Sequence, residues 1–219
     1  MFVLTVDQRG SRRDIDRVDA ILTALATVQT VRAFERTAGD EIQGVLADPV
    51  TAARLAVELT AEGHWSVGIG AGPVDEPLPP STRAGRGPAF LRARTAVEQA
   101  KADPSHLGFQ GGPADADPAG PSSAEPDPDA PRPGAPDLAA AVQAQLRLIL
   151  RVRARQRETT RQAYDLALTG LTQAEAAARL GITQQAVSER LDTALYRPLE
   201  EVMGHAVALA AALEAREGS

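Results

Sequence analysis

The sequence predicts an α+β fold, with a ferredoxin-like βαββαβ unit at the N-terminus and an all-α domain with a helix-turn-helix at the C-terminus. Three observations carry this prediction. Over residues 1–112 the apolar pattern switches repeatedly between a period of two and a period near 3.6. Over 137–219 only the helical period persists. Between them, 113–136 has eight prolines in 24 residues and no Val, Ile, Leu or aromatic residue. Such a stretch has nothing to bury against the cost of ordering, so it is expected to be a disordered, extended linker. With roughly 100–200 residues per domain, 219 residues suit this division into 1–112 and 137–219.

The elements follow in order. Phe2, Leu4 and Val6 alternate as in a strand. Ile15, Val18, Leu22 and Leu25 have helical spacing. Val28–Arg36 is β-branched and aromatic, Thr37-Ala-Gly-Asp40 supplies a turn, and Glu41–Leu46 is the returning strand of a hairpin. Asp48-Pro49 pairs an N-cap with Pro at the first helical position. Ala52, Leu55, Ala56 and Leu59 form that helix's apolar face, and Gly63 ends it. Trp65–Ala71 is a strand, and Gly72–Gly87 is a proline-rich loop. Pro88 opens a helix through Phe90, Ala93, Val97 and Ala100, and Leu107 and Phe109 mark a short last strand. The resulting order βαββαβαβ contains the ferredoxin-like unit.

In the last third, Asp137 caps a helix with Leu138, Val142, Leu146 and Ile149 on one stripe. A second helix runs from about Glu158 to Thr169. Thr172-Gln-Ala-Glu175 is a capping box for a third, which ends at Leu180-Gly-Ile182. Thr183 caps a fourth through Val187 and Leu191. Pro198 is expected at the first position of a final helix with Leu199, Val202, Met203, Ala206, Ala210 and Leu213 on one side. That stripe is spaced either to close the helical core or to pair two chains.

Composition excludes several functions. There is no cysteine, hence no disulfide, thiol chemistry or thiolate zinc site. His64, His106 and His205 are scattered without ligand spacing. No run approaches the roughly 18 apolar residues of a membrane span. Met1-Phe-Val-Leu-Thr-Val-Asp7 has no basic segment ahead of its apolar run and no cleavage site, so no signal peptide and a cytoplasmic location are expected. Net charge is −6, but 113–136 alone contributes five acidic groups and one Arg, and 137–219 holds ten of each sign. Residues 147–161 concentrate Arg147, Arg151, Arg153, Arg155, Arg157 and Arg161 against Glu158, a plausible backbone footprint for DNA. The plain alternative is a solvated helix face.

Two short helices joined at Gly181 give a helix-turn-helix plan. Ala176 is small where the helices cross, and glycine takes the positive φ of the turn. The second helix then exposes Gln184, Gln185, Ser188, Glu189 and Asp192. Gln pairs bidentately with adenine and Ser reaches either base type. Thr183 opens this helix, and Arg179 and Arg190 flank the face and suit phosphates. Arg161-Gln-Ala-Tyr-Asp-Leu-Ala-Leu-Thr-Gly-Leu-Thr-Gln-Ala-Glu-Ala-Ala-Ala-Arg-Leu-Gly-Ile-Thr-Gln-Gln-Ala-Val-Ser-Glu-Arg-Leu191 resembles the sigma-factor region-4 helix-turn-helix, over about 158–196. The resemblance implies that Thr183–Arg190 enters the major groove. Glu189 and Asp192 on the same face keep open a protein-binding, sigma- or anti-sigma-like scaffold.

In the N-terminal part, Asp7 ends the first strand, and Asp40 and Glu41 lie at the hairpin tip. Adjacent first and third strands bring these ends together, and carboxylates converging on a strand edge hold a hard cation such as Mg²⁺. Gly39-Asp-Glu-Ile-Gln43, with Asp7-Gln-Arg-Gly-Ser-Arg12 and Gly87-Pro-Ala-Phe-Leu-Arg-Ala-Arg-Thr-Ala-Val-Glu-Gln-Ala-Lys101, resembles the SatD-like family. That family consists of small bacterial proteins with a cyclase-like fold, some with a C-terminal helix-turn-helix. The resemblance implies that Asp7, Asp40 and Glu41 match the metal carboxylates of nucleotide cyclases. Ala38 and Ile42 depart from the cyclase Gly-Gly-Asp-Glu-Phe hairpin. Gly85, Gly87, Arg83 and Arg86 offer a phosphate cradle or simply a loop.

The sequence thus predicts a DNA-binding transcriptional regulator, expected as a homodimer, whose cyclase-like domain is non-catalytic and senses a ligand such as a nucleotide or pairs the chains. The alternatives are an Mg²⁺-dependent cyclase or nucleotidyl transferase, and a scaffold for protein partners. In the plainest reading, Asp40-Glu41 is only a polar hairpin tip.

Overall fold

A computed structural model describes residues 1–11, 13–112 and 137–216. The expected linker 113–136 lies outside the described residues. The chain forms β1 (Phe2–Gln8), α1 (Val18–Leu25), β2 (Arg32–Ala38), β3 (Glu41–Leu46), α2 (Pro49–Ala61), β4 (Trp65–Ala71), a 3₁₀ turn (Thr82–Ala84), α3 (Pro88–Ala102) and β5 (Leu107–Gln110). The remaining helices are α4 (Leu138–Arg153), α5 (Glu158–Leu168), α6 (Gln173–Leu180), α7 (Gln184–Thr193) and α8 (Tyr196–Ala215). The fold is α+β.

The five strands form one sheet in the order β2-β3-β1-β4-β5. β1 is antiparallel to both β3 and β4, and β2 is antiparallel to β3. β4 and β5 run parallel. A parallel pair needs a crossover, and α3 supplies it.

The two sheet faces are packed differently. Phe2, Leu4, Val6, Ile42, Val67, Ile69, Leu107 and Phe109 enter a large core with α1, α2, α4 and α8. On the other face Val3 and Val45 meet Ala89, Phe90 and Ala93 of α3. The approach of α3 is very close because β4 and β5 present glycines to it. A Cβ at Gly68 would lie 2.2 Å from Val97 N, and one at Gly108 would lie 2.2 Å from Ala96 O. The helix answers with Ala89, Ala93, Ala96 and Ala100, all fully buried. Small residues on both sides allow backbone to pack on backbone.

The segments on either side of 113–136, expected as separate domains, share the larger core. Val142, Leu146 and Ile149 of α4 and Leu199, Met203, Ala206, Ala210 and Leu213 of α8 are buried there with the sheet. The apolar stripe of α8 is therefore consumed within the chain and is not free to pair two copies. Polar contacts fasten the same junction. Phe109 N–H donates to Gln143 Oε1 at 3.0 Å, and Arg147 pairs with Asp103 at 3.1 Å. Arg54 of α2 pairs with Glu200 of α8, which also accepts from Tyr164 Oη–H at 2.8 Å. Burial alone would raise the Glu200 carboxyl, but these partners outweigh it and hold it below the usual range.

Three expectations are corrected. Ile15 is not on the first helix: it is 69% exposed, because Gln8 holds 15–17 non-helical by accepting from Arg17 N–H and donating to Ile15 O. Ile21 joins Val18 and Leu25 on the buried face of α1. β2 begins at Arg32, not Val28, and runs to Ala38, so the turn is only Gly39-Asp40, with Gly39 at φ 54°. α8 begins at Tyr196, after Leu195 in the left-handed region at φ 54°. Pro198 sits inside the first turn, where its missing N–H is not needed.

Candidate functional site

The trihelical unit is built by local capping. Thr172 and Glu175 close a reciprocal capping box on α6, with Thr172 N–H donating to Glu175 Oε2 at 2.8 Å. Gly181 ends α6 in the left-handed region at φ 66°. Two residues on, Thr183 Oγ1 accepts from Ala186 N–H at 3.1 Å and starts α7. Ala163, Ala176, Ala177, Val187 and Leu191 form the small core beneath. Alanines at 176 and 177 let the helices cross closely.

That packing turns the rest of α7 outward. Thr183, Gln184, Gln185 and Ser188 are exposed, as are Glu189 and Asp192. Gln185 Nε2 donates to Glu189 Oε1 at 3.2 Å. Arg179 is exposed at the end of α6. Arg190 is turned away from this face, its Nη1 donating to Thr159 O at 3.4 Å on α5. The exposed face thus has amide and hydroxyl groups flanked by two carboxylates. It has the means to read base edges but little charge of its own to hold phosphates.

In the sheet, Asp7 of β1 is the cross-strand partner of Glu41 of β3. Gln8 N–H donates to Asp40 O at 3.1 Å, so the three acidic residues do share one sheet edge. The sequence reading missed their counterion. Lys101, at the end of α3, places Nζ 2.9 Å from Asp7 Oδ2 and 2.9 Å from Glu98 Oε1. Glu41 Oε1 accepts from Thr37 Oγ1 at 2.6 Å. Among the described residues, no group of three His, Cys, Asp or Glu side chains is arranged to hold a metal ion. With an ammonium on Asp7 and a hydroxyl on Glu41, this donor set does not fit Mg²⁺ as it stands.

Burial raises the Asp7 carboxyl above its usual range; Lys101 opposes this, and the fields of Asp40 and Glu41 add to it. The folded state therefore binds this proton more tightly than the unfolded state. Its effect is a loss of stability as pH rises from the ordinary aspartate value through the folded one. Lys101→Met should move the Asp7 titration higher still and widen that window. Carboxyl-carbon NMR during a pH titration reads this directly, and an unmoved Asp7 resonance would remove Lys101 as its counterion.

Beside this edge lies a polar bowl of about 370 Å³ on the α3 face of the sheet. Thr5, Gln43, Thr82, Arg83, Arg94 and Phe90 line it. Gln43 Nε2 donates to Thr5 Oγ1 at 2.9 Å, satisfying both inside the sheet. Glu35 anchors the rim by accepting from Thr82 Oγ1 at 3.0 Å and Arg83 N–H at 3.2 Å. Of the expected phosphate cradle, Arg83 and Gly85 line the bowl, whereas Arg86 O accepts from Asp75 N–H and Gly87 makes the sharp entry to α3 at φ 112°. The signal available in sequence was the polar Thr5 and Gln43 among apolar strand positions.

No protein family, no curated protein and no solved structure matches this chain. No helix among the described residues is long and apolar enough to cross a membrane.

Proposed function

We propose that this protein is a DNA-binding transcriptional regulator. In this reading Thr183, Gln184, Gln185 and Ser188 meet base edges in the major groove, and Arg179 and Arg190 serve the flanking phosphates. The observation that carries it is the exposed amide and hydroxyl face of α7, held rigidly by the Gly181 turn and the Thr183 cap. The sheet-containing part is the ligand-sensing or chain-pairing half. The order β2-β3-β1-β4, with β1 antiparallel to both neighbours, supports a ferredoxin-like and cyclase-like unit extended by β5. The arginine-bearing bowl beside Glu41 supports a small anionic ligand such as a nucleotide. Pairing of two chains would set two reading helices about one DNA turn apart.

Selection of bound duplexes from random sequence tests the proposal. A defined motif should emerge, and Gln184→Ala with Gln185→Ala should flatten its preference. A lost bidentate contact is worth about 1–3 kcal/mol of discrimination. If no duplex is retained at low salt, the regulator reading fails and the face is left to protein partners.

A further inference from the structure

The structure divides the six arginines of 147–161 into two groups. Arg147 pairs with Asp103 and donates to Leu107 O. Arg153 is buried, pairs with Asp165 at 2.7 Å and lies 4.2 Å over the ring of Tyr164. Arg161 pairs with Glu158. These three have structural work within the fold. Arg151, Arg155 and Arg157 are exposed, and among the described residues none of them makes an ion pair. Arg151 acts only at longer range, helping to hold down the Asp103 carboxyl.

The three unpaired arginines line the same cleft. It has a volume of about 710 Å³ and is completed by Thr159, Thr160 and Thr193. The first turn of α5 borders it, and the N-cap there, Arg157, makes no side-chain cap, its backbone carbonyl accepting from Thr160 N–H and Arg161 N–H. Arg190 leans on Thr159 O beside the same cleft. Three guanidinium groups and the first turn of α5 converge here, no acid is among the residues that line the cleft, and Glu158 of that turn is taken up by Arg161. That chemistry recognises phosphate.

We propose that this cleft seats a backbone phosphate of duplex DNA, beside the groove that α7 enters. The inference rests on the DNA-reading function above and supplies what that face lacks. Glu189 and Asp192 repel phosphates, so the cleft adds attraction to that of Arg179 and Arg190. Thr193, the last residue of α7, lines the cleft, whereas Arg179 stands near the helix's other end. A ten-residue helix is about 15 Å long and the major groove about 12 Å wide, so a backbone passes close to each end.

The test compares the full chain with Arg151→Ala/Arg155→Ala/Arg157→Ala, binding the selected duplex between 50 and 200 mM salt. Loss of this phosphate contact should reduce the slope of log affinity against log salt by about 0.9. Across that range the wild type should then lose roughly 3.5-fold more affinity than the variant. Base preference should persist in the variant, and Arg161→Ala should leave the slope unchanged. Wild-type binding with an unchanged slope in the triple variant overturns the cleft and leaves the regulator reading standing. An unchanged slope with saturable binding of inorganic phosphate assigns the cleft to a free anion, and also overturns the proposal. Absence of wild-type binding at 50 mM salt overturns the regulator reading, and the cleft assignment with it. Far-UV circular dichroism verifies that the surface variants are folded.

Discussion

Gly70→Ala is expected to cost about 3 kcal/mol of folding stability or more. The added Cβ would lie 2.1 Å from Ala89 O and 2.3 Å from Ala93 N. Both are main-chain atoms of α3, so no side-chain rotation relieves the overlap. The helix has to lift from β4, and the apolar contacts of Ala89, Phe90 and Ala93 loosen with it. Gly204→Ala is the matched control. Gly204 lies in α8 with nothing within 4 Å of a new Cβ, so the same change should stabilise by about 0.5–1 kcal/mol through lower backbone entropy. Urea midpoints for the two variants should move in opposite directions. An unmoved midpoint for Gly70→Ala would contradict the close seam.

The second large effect concerns the junction of sheet and helices. Leu146 of α4 is 1% exposed in the core that it shares with β1, β4 and β5. Leu146→Ala should cost about 3 kcal/mol, from lost transfer energy and the cavity left behind. The informative part is where the loss appears. If the sheet and helices are one cooperative body, amide exchange should accelerate in β4 and β5 as well as in α4 and α8. Acceleration confined to the helices would show that the shared packing contributes little to holding the two halves together.

Much of this was legible because the local signals were strong. Asp48-Pro49 set the start of α2, and Asp48 does accept from Val50 N–H and Thr51 N–H. Thr172 and Glu175 set the start of α6 in the same way. The outward set on α7 followed from helical period alone, since Val187 and Leu191 had to face inward. Errors arose where a distant or backbone-specific contact decided the outcome. Ile15 had helical spacing, but the Gln8 side chain, one strand away, prevents the helix from reaching it. Pro198 marked the first turn of α8 without marking its first residue. At the site, strand adjacency brought Asp7 to Glu41, but Lys101 arrives from the far end of another helix. The arginine run looked uniform in sequence because the partners that divide it, Asp103 and Asp165, belong to other elements.

Trp65 gives this architecture an optical consequence. It is the chain's only tryptophan, is 2% exposed, and its indole N–H donates to Glu62 at 3.0 Å. Every photon of tryptophan emission therefore originates at one buried point at the start of β4. In the native state that emission should be shielded from iodide, and on unfolding it should become quenchable and shift to longer wavelength. Because α4 and α8 contribute to the core around that strand, one intrinsic fluorophore in the sheet can report on helices more than seventy residues further along the chain.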